Sequence, residues 1–373
     1  MKKKVLFLGT VYRLHMMVFH LPYMQWFQQQ GYEVHLCCRN DTDQPDLQPP
    51  FCDRYIDLPF ERSPFSPQNL QVYRQLRQLI DQEDYALIHC NTPVGGMLGR
   101  LAARAARKKG TRVVYTAHGF HFFTGAPLKN WLIFYPAERW LSRFTDLLIT
   151  INREDDEWAR RFHAKKTAMV SGVGVDLTRF EQPINRAEVR ASLGLKEDDH
   201  VVICVGEHSV RKNHETVIRA AALVPDCHVL FCGVGEKQPE LEALTHQLNM
   251  EERVHFLGFC RNIPQLLMAS DVFVFPSWQE GLPVAQMEAM AAGLPCVVSN
   301  VRGNRDLIAQ GDGGYLCRPD DAEAFAEGIE TLLSDPALCQ SMGERNRREM
   351  QKYSLQAVLN EMSALYRQEL EGR

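Results

Sequence analysis

The chain has 373 residues, 45% of them apolar and 24% charged, which suits ordinary globular cores and excludes a disordered or fibrous chain. No apolar run approaches eighteen residues, so no bilayer-spanning helix is expected. Net charge is only −4, yet residues 1–175 hold 23 Lys and Arg against 16 Asp and Glu, while residues 176–373 hold 19 against 30, so a basic half precedes an acidic one.

In chain order, MKKKVLFLGTVYRLH opens like a secretory leader, but Arg13 and His15 cut the apolar stretch short and no small-residue cleavage pattern follows. It reads as a first strand. Short apolar runs then alternate with helix-length segments, at residues 5–8, 33–37, 86–90, 112–116 and 147–151, and again at 201–205, 229–232, 254–257, 272–275 and 296–299. This alternation predicts an α/β fold of parallel sheets with crossover helices. Between the two sets lies VSGVGVDLTRF, residues 170–180, whose glycines suit a hinge. A boundary near residue 175 gives an N-terminal domain at 1–175 and a second at 176–354, followed by an amphipathic segment within 355–373. The 11 cysteines are an odd count, scattered through apolar runs without a CxxC pair, as expected of reduced core thiols in a cytosolic protein.

Arg100, Arg104, Arg107, Lys108 and Lys109 gather five positive charges along one helix end. They suit an anionic partner or membrane surface, or equally a solvated helix terminus favoured by its dipole. Nucleic acid is not expected, because no recognised module or aromatic-interleaved basic stripe accompanies the charge.

Ligands of open parallel sheets bind beyond the carboxyl ends of the strands, so the loops there carry the functional signal. EGLPVAQMEAMAAGLP, residues 280–295, is the strongest. Its Glu280 precedes a small-residue helix whose opening residues, Gly281, Leu282, Pro283 and Val284, are placed to cradle a phosphate, with backbone N–H groups from all but Pro283. Pro283 is expected at the first helical position, where no donor is needed. Glu288, further into the helix, can accept hydrogen bonds from two vicinal ribose hydroxyls. Three other loops stand out: GEHSVRKN at 206–213, AHGFHFF at 117–123, and GFCRNIP at 258–264. His118-x-x-His121 also raises a metal, but no Asp, Glu or Cys completes a shell nearby, so none is expected. The aromatics that follow suit either an acceptor pocket or a core. Gly95-Gly96 offers a close-approach surface or helix packing, and Gly233-Val234-Gly235 is too short a glycine pattern to mark a dinucleotide site.

The 280–295 segment resembles the E-x7-E signature of retaining nucleotide-sugar glycosyltransferases of the GT-B group, in glycosyltransferase family 4, which makes capsule, exopolysaccharide and lipopolysaccharide. The resemblance covers nearly the whole chain, strongly in 200–320 and more loosely in 1–175. It implies a GT-B fold, two Rossmann-like parallel-sheet domains facing a central cleft, with the last helix packed on the first domain. It further implies that Arg211 and Lys212 grip the donor diphosphate, that Glu280 binds sugar hydroxyls and stabilises charge, that Gly258 and Arg261 lie beside the base, and that His118 contacts the donor sugar. The implied reaction is metal-independent, retaining transfer from a UDP-sugar to a polyprenyl-diphosphate-linked saccharide, in the cytoplasm or at the inner face of the plasma membrane. Alternatives are a nucleotide-sugar epimerase of the same architecture and a non-catalytic nucleotide-sugar-binding protein. The end of the first strand departs from the family, since Gly9-Thr10-Val11-Tyr12-Arg13 stands where many relatives have paired glycines.

Overall fold

The computed structural model describes residues 2–371, apart from the side chain of Leu14. The chain divides into two units, one running to Val173 and resuming at Gln356, the other Gly174–Leu355.

Unit 1 is built on seven strands: β1 (Lys4–Val11), β2 (Glu33–Arg39), β3 (Arg54–Asp57), β4 (Tyr85–Asn91), β5 (Arg112–Ala117), β6 (Leu147–Thr150) and β7 (Lys166–Met169). They form one sheet in the order β3-β2-β1-β4-β5-β6-β7, with every pair parallel. Central strands are covered on both faces, which is why all seven residues of β4, YALIHCN, are buried and why such strands show as near-continuous apolar runs. Unit 2 holds β8 (His200–Val205), β9 (Cys227–Cys232), β10 (Val254–Phe256), β11 (Val272–Phe275), β12 (Cys296–Ser299) and β13 (Gly314–Cys317), in the parallel order β10-β9-β8-β11-β12-β13. Strands β3, β7 and β13 carry no run the sequence could announce. They are edges, RYID, KTAM and GYLC, each with two half-buried middle residues.

In each sheet the order reverses once, between β1 and β4 and between β8 and β11. A crevice opens at such a reversal because the crossovers on its two sides run to opposite faces. The loops after β1, β8 and β11 are therefore the places to look.

The closing helix, Leu355–Glu371, belongs to unit 1 from Gln356 onward. Fully buried Tyr366 shares a 2.8 Å hydrogen bond between its Oη and His89 Nδ1, while His89 Nε2 lies 2.8 Å from Thr116 Oγ1. Lys166 pairs with Glu369 at 2.7 Å, and Glu361 accepts from the Ser171 backbone N–H and hydroxyl at 2.8 and 2.9 Å. All 11 cysteines are free thiols. Among the described residues, no helix is long and apolar enough to cross a membrane.

Arg100 corrects the reading of a five-charge helix end. It is fully buried, donates to the Gly96 carbonyl at 2.8 Å, pairs with Glu138 at 2.9 Å and lies over the Tyr115 ring. Arg107 is tied to Asp146 at 2.9 Å, so Arg104, Lys108 and Lys109 are the exposed charges. The Gly95-Gly96 pair serves packing: a Cβ on Gly96 would meet the Tyr115 ring at 2.4 Å.

Candidate active site

The reversal in unit 2 brings two loops together, one after β8 and one after β11. Asn213 ends the first in the left-handed region, φ +55°, and its side-chain amide donates to the carbonyls of Pro276 at 3.1 Å and Pro319 at 2.7 Å. The Trp278 backbone N–H donates to the Arg211 carbonyl at 2.9 Å. With the backbone so pinned, both cations reach one carboxylate oxygen: Arg211 Nη1 lies 3.0 Å and Lys212 Nζ 2.8 Å from Glu280 Oε1. Arg211 Nη1 also donates to the Gln279 carbonyl at 3.1 Å.

Glu280 is only 7% exposed, and Lys212 Nζ sits 4.4 Å from the centre of the Phe275 ring. Burial lowers the Lys212 pKa, opposed by the Glu280 carboxylate, which favours the charged form. Arg302 supports this loop from beneath by donating to the Glu280 backbone carbonyl at 3.0 Å. Gly303, at φ +82°, lets the next loop approach so closely that a Cβ there would lie 2.4 Å from the Gly281 carbonyl oxygen.

The helix runs Val284–Ala292, and Pro283 stands one place earlier than expected. It is the N-cap, in extended conformation at φ −77° and ψ 115°, and its carbonyl accepts from Met287. The amides open to a ligand are therefore those of the first helical turn from Val284 on, with Gly281 and Leu282 ahead of the proline. Glu288 lies on the helix with its Oε1 2.6 Å from Arg179 Nη1. Burial raises the Glu288 pKa while Arg179 works against it. Sequence reasoning missed Arg179, which sits in the hinge segment 170–180 and carries no motif of its own.

Gly258 follows β10 with φ +66°, and its carbonyl accepts from the Gly233 N–H at 2.8 Å; Arg261 is exposed on the same loop. Gly233 is explained by contact between loops, since a Cβ on it would lie 1.9 Å from the Gly206 carbonyl oxygen.

In unit 1, His118 directly follows β5, and His121 does not join it. The His121 ring packs 4.7 Å from Phe134. His118 instead meets two residues from the loop after β1, with ring centres 4.7 Å from His15 and 5.6 Å from His20. His15 lies in a π-helical turn, Tyr12–Met16, a rare form frequent at functional sites. His15 and His20 approach Nε2 to Nε2 at 3.1 Å, and His118 Nε2 is buried without a hydrogen-bond partner. Burial pushes all three imidazoles down, His118 to about 4, so they are neutral at pH 7. Sequence reasoning, which looked for Asp, Glu or Cys beside His118, missed these two histidines. Phe120 and Phe122 stack on each other at 4.8 Å, and Phe122 meets Trp131 and Tyr135, which makes these aromatics core.

Comparison with known proteins gives the family. A family model described as "Glycosyl transferases group 1" matches residues 185–349, and one described as "Glycosyl transferase 4-like" matches residues 4–152. EpsD of Bacillus subtilis is 42% identical, covering 98% of this chain and 97% of its own. This chain belongs to the glycosyltransferases. A second relative of the glycosyltransferase, the Escherichia coli UDP-Gal:alpha-D-GlcNAc-diphosphoundecaprenol alpha-1,3-galactosyltransferase, is 33% identical over 70% of each chain. Among solved structures, Anabaena HepE, crystallised with UDP and glucose, superposes with a TM-score of 0.81 over 98% of this chain and 99% of its own at 21% identity. That likeness makes the fold GT-B, two Rossmann-like parallel-sheet domains.

Proposed function

We propose that this glycosyltransferase moves a hexose from a UDP-sugar to a polyprenyl-diphosphate-linked saccharide, with retention at the anomeric carbon, in bacterial surface-polysaccharide synthesis at the cytoplasmic membrane face. The observation that carries the donor half is the convergence of Arg211 and Lys212 on Glu280 just ahead of the helix Val284–Ala292. A departing nucleoside diphosphate carries roughly three negative charges, and two cations with about half a charge from a helix start, less the Glu280 carboxylate they share, offset about half of them. Departure then needs no metal ion. Lys212, held in a nearly dry setting over Phe275, interacts more strongly with that charge than a hydrated lysine does. Glu288 is assigned to the ribose hydroxyls, Gly258 and Arg261 to the base, and His118 to a donor-sugar hydroxyl.

A double displacement needs a carboxylate free to bond the anomeric carbon. Glu280, engaged by two cations, suits charge stabilisation and hydroxyl binding instead, which favours attack on the same face as the leaving group. In that step the acceptor oxygen bonds the anomeric carbon, the sugar–phosphate C–O bond breaks, and a diphosphate oxygen takes the acceptor proton. The name of the Escherichia coli relative supports both the UDP donor and the lipid-linked acceptor.

Support for membrane attachment comes from the helix Leu128–Leu141, which exposes Leu128, Leu132, Ile133 and Trp140 while Trp131, Phe134 and Tyr135 pack on the core. Trp140 packs against Phe144, Arg104 lies over that ring, and a groove there gathers Arg77, Arg104, Lys108, Arg143 and Lys165. Apolar side chains beside cations suit an anionic bilayer. The test is to supply UDP-hexoses with a polyprenyl-diphosphate saccharide and read the new linkage by NMR. An inverted product contradicts retention, and a sugar-nucleotide isomer formed without acceptor makes the protein an epimerase.

A further inference from the structure

We propose that His15, His20 and His118 form a binding site for one first-row divalent cation, with zinc the best chemical match. Their ligating nitrogens all lie within 4.8 Å of one another. The His15 Nε2 to His20 Nε2 separation of 3.1 Å is already close to the roughly 3.3 Å edge of a tetrahedron with metal–nitrogen bonds of about 2.0–2.1 Å. A side-chain rotation on the scale of an ångström brings the remaining nitrogen to the same spacing.

A second observation points the same way. His118 Nε2 is buried without any hydrogen-bond partner, an arrangement that costs free energy unless something accepts its lone pair or proton. Neighbouring His89 shows the alternative, with both nitrogens held by Tyr366 and Thr116. Burial lowers the pKa of all three rings, and neutral imidazole is the ligating form.

Three nitrogen ligands leave the fourth position of a tetrahedral ion open, as in sites that bind water or a substrate oxygen. A cavity lined by Thr10, His15, Arg62 and Thr92 adjoins His15 and offers hydroxyls and a cation to whatever occupies that position. His20 Nδ1 has no acceptor among the described residues, and ligating histidines usually donate their second N–H to one. The site is therefore a modest-affinity, exchangeable one rather than a structural zinc. It needs only unit 1 and none of the residues after β8 and β11, but it competes with a donor-sugar contact for His118. An ion bound there occupies the His118 nitrogen that a sugar hydroxyl would otherwise meet.

The experiment is titration of the full-length, chelator-treated protein with Co²⁺, following the visible absorption of tetrahedral cobalt, with Zn²⁺ competition by calorimetry. One cobalt per chain is expected, displaced by zinc. His15→Ala should weaken binding by on the order of 100-fold, no less than the loss of an outer partner costs a metal site. Because His20 is almost fully buried, His20→Gln serves as the second variant, with its fold checked by circular dichroism. His228 and His255 form another close pair, 3.3 Å apart beside Asp199, and His228→Ala should leave the signal unchanged. Absence of a tetrahedral cobalt spectrum overturns the proposal, as does a signal that survives His15→Ala or disappears with His228→Ala.

Discussion

The two sheets share one topology but equip their reversal points with opposite chemistry. After β8 and β11 stand Arg211, Lys212 and Glu280, charged groups held by a shared oxygen and by backbone bonds. After β1 and β5 stand His15, His20 and His118, neutral rings in a cluster with His20 buried and the other two half-buried. One framework thus carries two cations sharing a carboxylate in unit 2 and an uncharged, lone-pair-rich cluster in unit 1. The difference lies entirely in the loops, because parallel sheets of this order leave the strand ends free to vary.

The contrast can be broken most forcefully at Lys212. Lys212→Ala should lower turnover by roughly 100- to 1000-fold, the range for losing one preorganised donor to a developing anion. Its fold should persist, because Arg211 still pairs with Glu280. Near-normal turnover in initial-rate assays would remove the charge-based account.

Glu288 gives the next effect. Its raised pKa means that the ionised form needed for a ribose contact is lost at a higher pH than for an ordinary glutamate. Nucleotide affinity should fall about tenfold as pH drops through that acidic range, and Glu288→Gln should flatten the profile. Calorimetry against pH reads this directly.

Unit 1 should show its own acid sensitivity. His15, His20, His89 and His118 have folded-state pKa values below the unfolded value, with His89 at about 3 and His118 at about 4. The unfolded state therefore binds protons first, and stability present above about pH 6.5 is lost progressively as pH falls toward about 3. On the order of 1 kcal/mol per histidine should disappear, seen as a falling urea midpoint that His20→Gln partly levels. Smallest is Tyr366→Phe, which removes the hydrogen bond to His89 and should cost about 1 kcal/mol without altering transfer.

Much of this contrast was legible beforehand, and the exceptions have physical causes. Nine interior strands announced themselves because burial on both faces demands continuous apolar residues, and β10, an edge with only Val254 buried, was read from its apolar run as well. The edges β3, β7 and β13 did not, because half-exposed strands tolerate Arg, Lys and Gly. The loops proposed to bind the donor stood out because helix starts and paired cations leave compact local signatures. Arg179 and the His15–His20–His118 cluster were not, since these contacts join residues far apart in sequence. Arg100 misled for a related reason: a charge counted on a helix surface turned out to be paired with Glu138 inside. Pro283 showed that a helix boundary read from sequence can be off by one place, which changes the amides available to an anion.

The central claim is that a diphosphate is gripped by Arg211, Lys212 and the opening amides of the helix Val284–Ala292. A crystal structure with UDP bound tests it most directly. The account predicts diphosphate oxygens within hydrogen-bonding distance of both side chains and of those amides. UDP seated elsewhere, with the Glu280 ion pairs undisturbed, contradicts it.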